Sequence, residues 1–272
     1  MHVAGLFIYP VKSLRGLAVS AASLDRFGLI GDRRFLVIDA QNRFLTQRVL
    51  PAMATIETAL TATALILRAP HGGSCAVPLQ DNNAPLVRTT IWRDTVDAED
   101  CGTEVAVWLS HVLRQPCRLV RLGTAYHRSV KPSRAQPGDV VTFADAFPLL
   151  AVSEASLAHL NDRLIARGES PVPMNRFRPS LVLAGCDAHA EDRAAHWRIG
   201  DVALRAGGPC DRCPITTTDQ LTGERHHHEP LRTLATYRRD PAEPTNVNFG
   251  QNLVHETKSG TLHVGDAVTF GA

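Results

Sequence analysis

The sequence holds no glycine-rich phosphate loop, no G-x-S-x-G elbow and no H-E-x-x-H pair. P-loop phosphoryl transfer, α/β-hydrolase chemistry and zincin-type proteolysis therefore have no motif to rest on. Its carboxylates are scattered, which leaves a glycosidase pair without support. No stretch approaches the roughly 20 apolar residues of a membrane span. The opening "MHVAGLFIYPVKS" has no basic n-region, and Pro10 interrupts its short apolar run, so it does not read as a secretory signal. The strongly basic balance of a general nucleic-acid binder is missing too, because the formal net charge is only +2. A local anion site stays open. With no sign of export, Cys75, Cys101, Cys117, Cys186, Cys210 and Cys213 predict reduced thiols in a cytoplasmic protein. Neither a membrane nor a nucleic acid is expected as a partner.

What is present suits a globular protein able to bury a core. The chain has 272 residues, 44% hydrophobic and 21% charged, enough for two small domains or one large barrel-containing one. Strand signals dominate the first hundred residues: 3–11, 34–40, 54–62 and 63–69 are β-branched or alternating runs, while "RAPHGGSC" and "LQDNNAP" read as loops. Helical spacing predicts helices over 103–114, over 153–168 with Ser153 as N-cap and Gly168 at the end, and over 230–239 with Pro230 in the first turn. "GDVVTF" (138–143), "GDVALR" (200–205) and "GDAVTF" (265–270) each read as a Gly-Asp turn feeding a strand, as in a meandering antiparallel barrel or sheet. The basic, irregular segment 119–137 is either a divide between two domains or a long surface loop.

The sharpest local signal is "GGPCDRCPITTTD" (207–219), a C-x-x-C. A structural zinc site wants two close ligand pairs. The second pair is not supplied by the adjacent His226, His227 and His228, which fit a solvated loop better, and the next candidate is the distant His255. A thioredoxin-like dithiol wants a helix after its first cysteine, whereas "PITTTD" reads as strand. One ligating or reactive cysteine remains, with Arg212 beside Cys213 to favour its thiolate; a soft thiolate suits a soft or high-valent metal. Two structural cysteines fit these residues equally well. Elsewhere, Lys12 and Ser13 follow a strand, Arg33 sits at a turn, and Arg176 and Arg178 precede the strand "SLVLAG". Each suits a solvated strand end; together they are the groups that would hold a phosphate or other anion.

Seven segments in order, "IYPVKSLRG", "GDRRFLVID" with "FLTQR", "LLAVSEASLAHLN", "NRFRPSLVLAG", "CDRCPITTTDQLTGE", "FGQNLV" and "GTLHVGDAVTF", resemble the MOSC-domain proteins with an N-terminal MOSC β-barrel domain, the group of the mitochondrial amidoxime-reducing component and its bacterial relatives. The resemblance spans essentially the whole chain. It implies an α+β, β-rich fold: a MOSC β-barrel core with an N-terminal β-barrel-type domain (1–120), a MOSC domain (121–272) and a few helices. It also implies a molybdenum cofactor (molybdopterin), with Cys213 as catalytic metal ligand and Lys12, Ser13, Arg33, Asp145, Arg178, Ser180 and Arg212 as cofactor contacts. Ser180 stands where relatives often carry asparagine, Pro214 follows the ligand, and "TTTDQ" replaces a common "TTVDP". The implied activity is reduction of N-oxygenated small molecules such as amidoximes and hydroxylamines. No iron–sulfur or flavin motif is seen, so electrons are expected from a flavoprotein reductase or a ferredoxin. Sulfur transfer through a cysteine persulfide, and non-catalytic carriage of the cofactor, are the alternatives.

Overall fold

The computed structural model describes residues 1–272 except Asn82, His226, His227 and Ala272, and of Pro132 only the backbone. Its centre is a sheet of eight strands in the order Val268–Gly271, His196–Ile199, Val202–Asp211, Asn248–His255, Leu149–Ser153, Leu181–Ala184, His2–Ile8 and Leu17–Val19. Neighbours are antiparallel except Leu149–Ser153 and Leu181–Ala184, which run parallel. A bridge between His2 and Ala267 joins the seventh strand to the segment leading into the first and closes the sheet. The interior is filled by alternate apolar residues, among them Val3, Leu149, Leu181, Leu204 and Leu253. Closure joins strands that would otherwise stand as open edges.

Three smaller sheets lean on this barrel. Phe35–Asp39, Cys117–Arg121, Asp94–Asp100 and Leu86–Ile91 form one; Thr261–His263, Ala21–Asp25 and Gly28–Leu29 another; Glu57–Leu60, Ala64–Ala69 and Gly73–Pro78 the third. The N-terminal strand His2–Ile8 therefore pairs with a strand after residue 180, and Ala21–Asp25 with one after residue 260. Helix Thr103–Leu113 packs Val105, Leu109 and Leu113 into a core shared with Leu65, Leu67 and Val77. Helix Glu154–Ala166 starts where Ser153 Oγ accepts the Ser156 amide at 3.0 Å, the cap its sequence signals. It buries Leu160 and Leu164 completely, worth up to about 1.5–3 kcal/mol each.

Four local expectations are corrected. "RAPHGGSC" runs into a strand, because Cys75 and Val77 alternate inward against Leu67 and Leu65. "GDVVTF" forms no strand beyond a bridge at Val140, because the Arg128 guanidinium takes the carbonyls of Thr142 and Ala144 that a ladder would need. The other two Gly-Asp turns do feed strands, their glycines at φ 54° and 98° where a side chain would be strained. The helix over 230–239 shrinks to Leu231–Leu234, with Pro230 at its cap, since Arg239 leaves to bridge Val247. "PITTTD" is a 3₁₀ turn over Pro214–Thr217 rather than a strand. There the Thr216 and Thr217 hydroxyls donate back to the Cys213 and Pro214 carbonyls at 3.0 and 2.8 Å, tightening the turn.

Candidate functional site

Cys210 stands one residue from the end of strand Val202–Asp211, and Cys213 lies just past it. The strand's register to Asn248–His255 shifts twice, between Ala206 and Gly208 and between Pro209 and Asp211. The second shift is fixed by Val247, whose amide bonds Asp211 Oδ1 at 3.1 Å and whose carbonyl accepts from the Arg212 amide at 2.8 Å. Gly207 allows the Phe147 ring to approach: a Cβ there would lie 2.5 Å from a ring carbon.

Both cysteines open on a cavity of about 140 Å³. Lys12, Ser13, Arg33, Asp145, Arg178 and Arg212 share its wall with Cys213, though they come from segments up to two hundred residues apart. Arg48, Phe147 and Asn252 also line it and were missed by sequence reasoning. Arg48 lies in "FLTQR", a segment in which nothing marks that one arginine as facing a cavity. Ser180 does not reach the wall: it is fully buried, and its hydroxyl accepts from Arg33 Nη1 at 3.3 Å. Arg176 is likewise turned away, paired with Asp219 at 3.0 Å. Arg212 corrects a further expectation. Its Nη1 donates to Cys210 Sγ at 3.0 Å and its Nη2 to the Phe177 carbonyl at 2.7 Å, so the thiol it holds is the first of the pair. Burial pushes the Cys210 thiol up while Arg212 opposes it. His228 lies on the surface and His255 is buried with its ring on the Asp25 carbonyl; His226 and His227 lie outside the described residues. Among the described residues no three His, Cys, Asp or Glu side chains gather as a self-sufficient metal site.

The wall carries five cations, Lys12, Arg33, Arg48, Arg178 and Arg212, against two carboxylates, Asp145 and Asp211. Crowding like charges requires support from behind. Arg33 and Arg178 each stack 4.3 Å from the centre of the buried Tyr9 ring, whose quadrupole attracts both. Asp32 pairs with Arg33 and accepts the Tyr9 amide at 2.7 Å. Gln47 and Gln220 bond each other reciprocally at 2.9 and 3.1 Å, and also hold the Ser13 carbonyl and Arg178 Nη1. Ser13, Arg33 and Arg178 all have positive φ, 66°, 48° and 55°, a conformation that costs a non-glycine residue about 1 kcal/mol or more and concentrates at functional sites. Burial lowers the Arg178 pKa to about 10. Burial likewise brings Lys12 down to about 8, against the pull of its ion pair with Asp145. Enclosure alone would raise the Asp145 carboxyl; Lys12 and Arg48 instead hold it well below the usual carboxylate range, although half of the side chain is open to the cavity. Two buried donors, Arg48 Nη1 and Arg212 Nε, have no partner among the described residues. Buried donors of this kind are normally satisfied, and the surplus of positive charge on the wall favours an anion in the cavity.

The molecule is thus a β-barrel protein whose cation-rich cavity carries a pair of thiols. Residues 1–116 match the MOSC N-terminal beta barrel domain and residues 138–269 the MOSC domain. The chain is 37% identical to human mitochondrial amidoxime-reducing component 1 and 36% identical to human mitochondrial amidoxime reducing component 2, each over 98% of this chain and 82% of the relative. The component 1 protein of Danio rerio is 34% identical over 98% of this chain and 83% of its own. The chain thus belongs to the MOSC-domain family of the mitochondrial amidoxime-reducing components. No helix among its described residues is long and apolar enough to cross a membrane.

Proposed function

We propose that the chain is a molybdenum-cofactor-dependent reductase of N-oxygenated compounds. The observation that carries this is the convergence of a thiol pair and five cations, two with unpartnered buried donors, on one cavity. That donor set suits an anionic, phosphate-bearing group with a soft metal. Cys213 Sγ would be the protein's ligand to molybdenum, and Lys12, Ser13, Arg33, Arg178 and Arg212 would hold the anionic part. Ser180 would act only through Arg33. When bound, the cofactor supplies a redox centre able to take oxygen from nitrogen.

The chain's own residues supply position and charge. The Tyr9 stack and the Gln47–Gln220 pair keep the arginine forks in place before any ligand arrives, so little side-chain freedom is lost on binding. Lys12 Nζ, brought down to about 8 by burial, is still charged at neutral pH and adds to the positive field on the anionic part. Asp145 fixes that ammonium. Electrons would come from a separate flavoprotein reductase or ferredoxin. Six unpaired cysteines suit a reducing compartment.

The test is metal analysis of protein from a cofactor-competent host, joined to an amidoxime reduction assay with a chemical electron donor. Stoichiometric molybdenum with turnover, lost in Cys213→Ser, is expected. Molybdenum without turnover under any donor would mark a carrier, and a persulfide without molybdenum would mark sulfur transfer; either result overturns the reading.

A further inference from the structure

Beside the cysteine cavity lies a second, wider groove of about 950 Å³ that shares Asp145 and Ala146 with it. It is lined by the tip of the hairpin formed by Leu86–Ile91 and Asp94–Asp100 and by the segment that carries Arg128 and Lys131. The two-residue tip is Trp92–Arg93. Such tips ordinarily carry asparagine, aspartate or glycine, because a positive φ is needed. Here Trp92 takes it, at φ 57°, and keeps 45% of its surface exposed. A large aromatic in a strained turn, left open to solvent, asks for a reason.

Its contacts supply one. The Trp92 indole N–H donates to Asp145 Oδ1 at 3.3 Å, the Arg48 guanidinium lies 4.4 Å from its ring centre, and the Phe44 ring packs at 5.0 Å. The ring is thereby fixed to two residues of the cysteine cavity while lining the neighbouring groove. On the reductase reading above, the N–O end of a substrate must enter the small cavity, and the rest of the molecule must lie outside it. The groove's volume falls within the range of organic-ligand sites, and it opens at the shared wall.

We propose that this groove is the subsite for the substrate's organic group, and that Trp92 is its specificity-determining wall, selecting flat conjugated N-hydroxy compounds such as aryl amidoximes. The ring presents a rigid π surface at little entropic cost. Arg128 sets its distance from the cavity: it is buried, pairs with Asp94 beside the tip at 2.6 Å, and donates to the Asp145 carbonyl at 2.7 Å. Tip and cavity wall are thus tied to one guanidinium.

The experiment compares benzamidoxime with acetamidoxime, which shares the reacting group without the ring, on molybdenum-loaded protein with a reduced dye as donor. Trp92→Ala should lower the benzamidoxime-to-acetamidoxime ratio of kcat/KM by about tenfold, equivalent to about 1.4 kcal/mol, through KM for benzamidoxime. Trp92→Phe keeps a ring but loses the N–H to Asp145, so its ratio should stay within about threefold of wild type, since the ring carries the stacking. In parallel, benzamidoxime should quench tryptophan emission in wild type and not in Trp92→Phe, because Trp197 is 2% exposed and Trp108 half-buried. An unchanged ratio in Trp92→Ala, or a Phe variant as poor as Ala, overturns the proposal. If wild type reduces neither compound, the reductase reading fails, and the emission result alone decides the groove: quenching lost in Trp92→Phe supports the subsite, and none in wild type overturns it.

Discussion

Replacing Gly250 by alanine should damage both the barrel and the site. Gly250 lies within strand Asn248–His255 at φ 83°, where an L-residue loses about 1–2 kcal/mol. A Cβ there would lie 2.7 Å from the Ala151 carbonyl oxygen and 2.7 Å from Val152 Cγ2. The backbone oxygen cannot swing aside as a flexible side chain would, so overpacking adds about 1–3 kcal/mol. The combined loss is about 2–5 kcal/mol, a large share of the roughly 5–15 kcal/mol that a folded protein holds. Gly250 also stands between Asn248, which pairs with Asp211, and Gln251, which pairs with Pro209, beside the two cysteines. Urea unfolding of Gly250→Ala should show a lower midpoint with an unchanged slope, and the folded variant should retain less cofactor. A loss below about 1 kcal/mol would refute the reasoning, because the left-handed backbone alone should cost that much.

Ser153→Ala removes the buried cap of helix Glu154–Ala166 and should cost about 1–2 kcal/mol in chemical unfolding; an effect near zero would mean that the cap is replaced. His255 is fully buried, and burial lowers its pKa from 6.5 to about 4. The unfolded chain therefore takes up the proton first as pH falls. The stability His255 contributes is complete above pH 6.5 and drains away between 6.5 and about 4, by about 2–3 kcal/mol at pH 4.5. Unfolding free energies at pH 7 and 4.5 should fall by that much less in His255→Gln than in wild type, and equal losses would refute the assignment.

Regular elements were the readable part of this sequence. The helix over 103–114 follows from its apolar stripe, and the one after Ser153 from a cap and a leucine row, because both signals are local. The strand misread at 138–143 shows what is not local: Val140, Val141 and Phe143 are buried as a strand would bury them, but a guanidinium from residue 128 takes the backbone carbonyls. The site divides the same way. Lys12, Arg33 and Arg178 stand out as basic residues at strand ends, yet so does Arg176, which turns away to Asp219. Arg48 and Trp92 carry no local mark at all, since the place of Arg48 at the cavity and of Trp92 in the groove beside it depends on a hairpin tip meeting a loop about fifty residues further along. Arg212 is adjacent to Cys213 in sequence but reaches back to Cys210, held there by its second bond to the Phe177 carbonyl.

On the proposed reading, Cys213 Sγ would be the protein's bond to a molybdenum centre held among the five cations. X-ray absorption at the molybdenum edge of the loaded protein counts sulfur neighbours directly. Cys213→Ser should show one sulfur neighbour fewer than wild type, and Cys210→Ser the same number as wild type. An undiminished count in Cys213→Ser, or a loss in Cys210→Ser instead, would contradict the account.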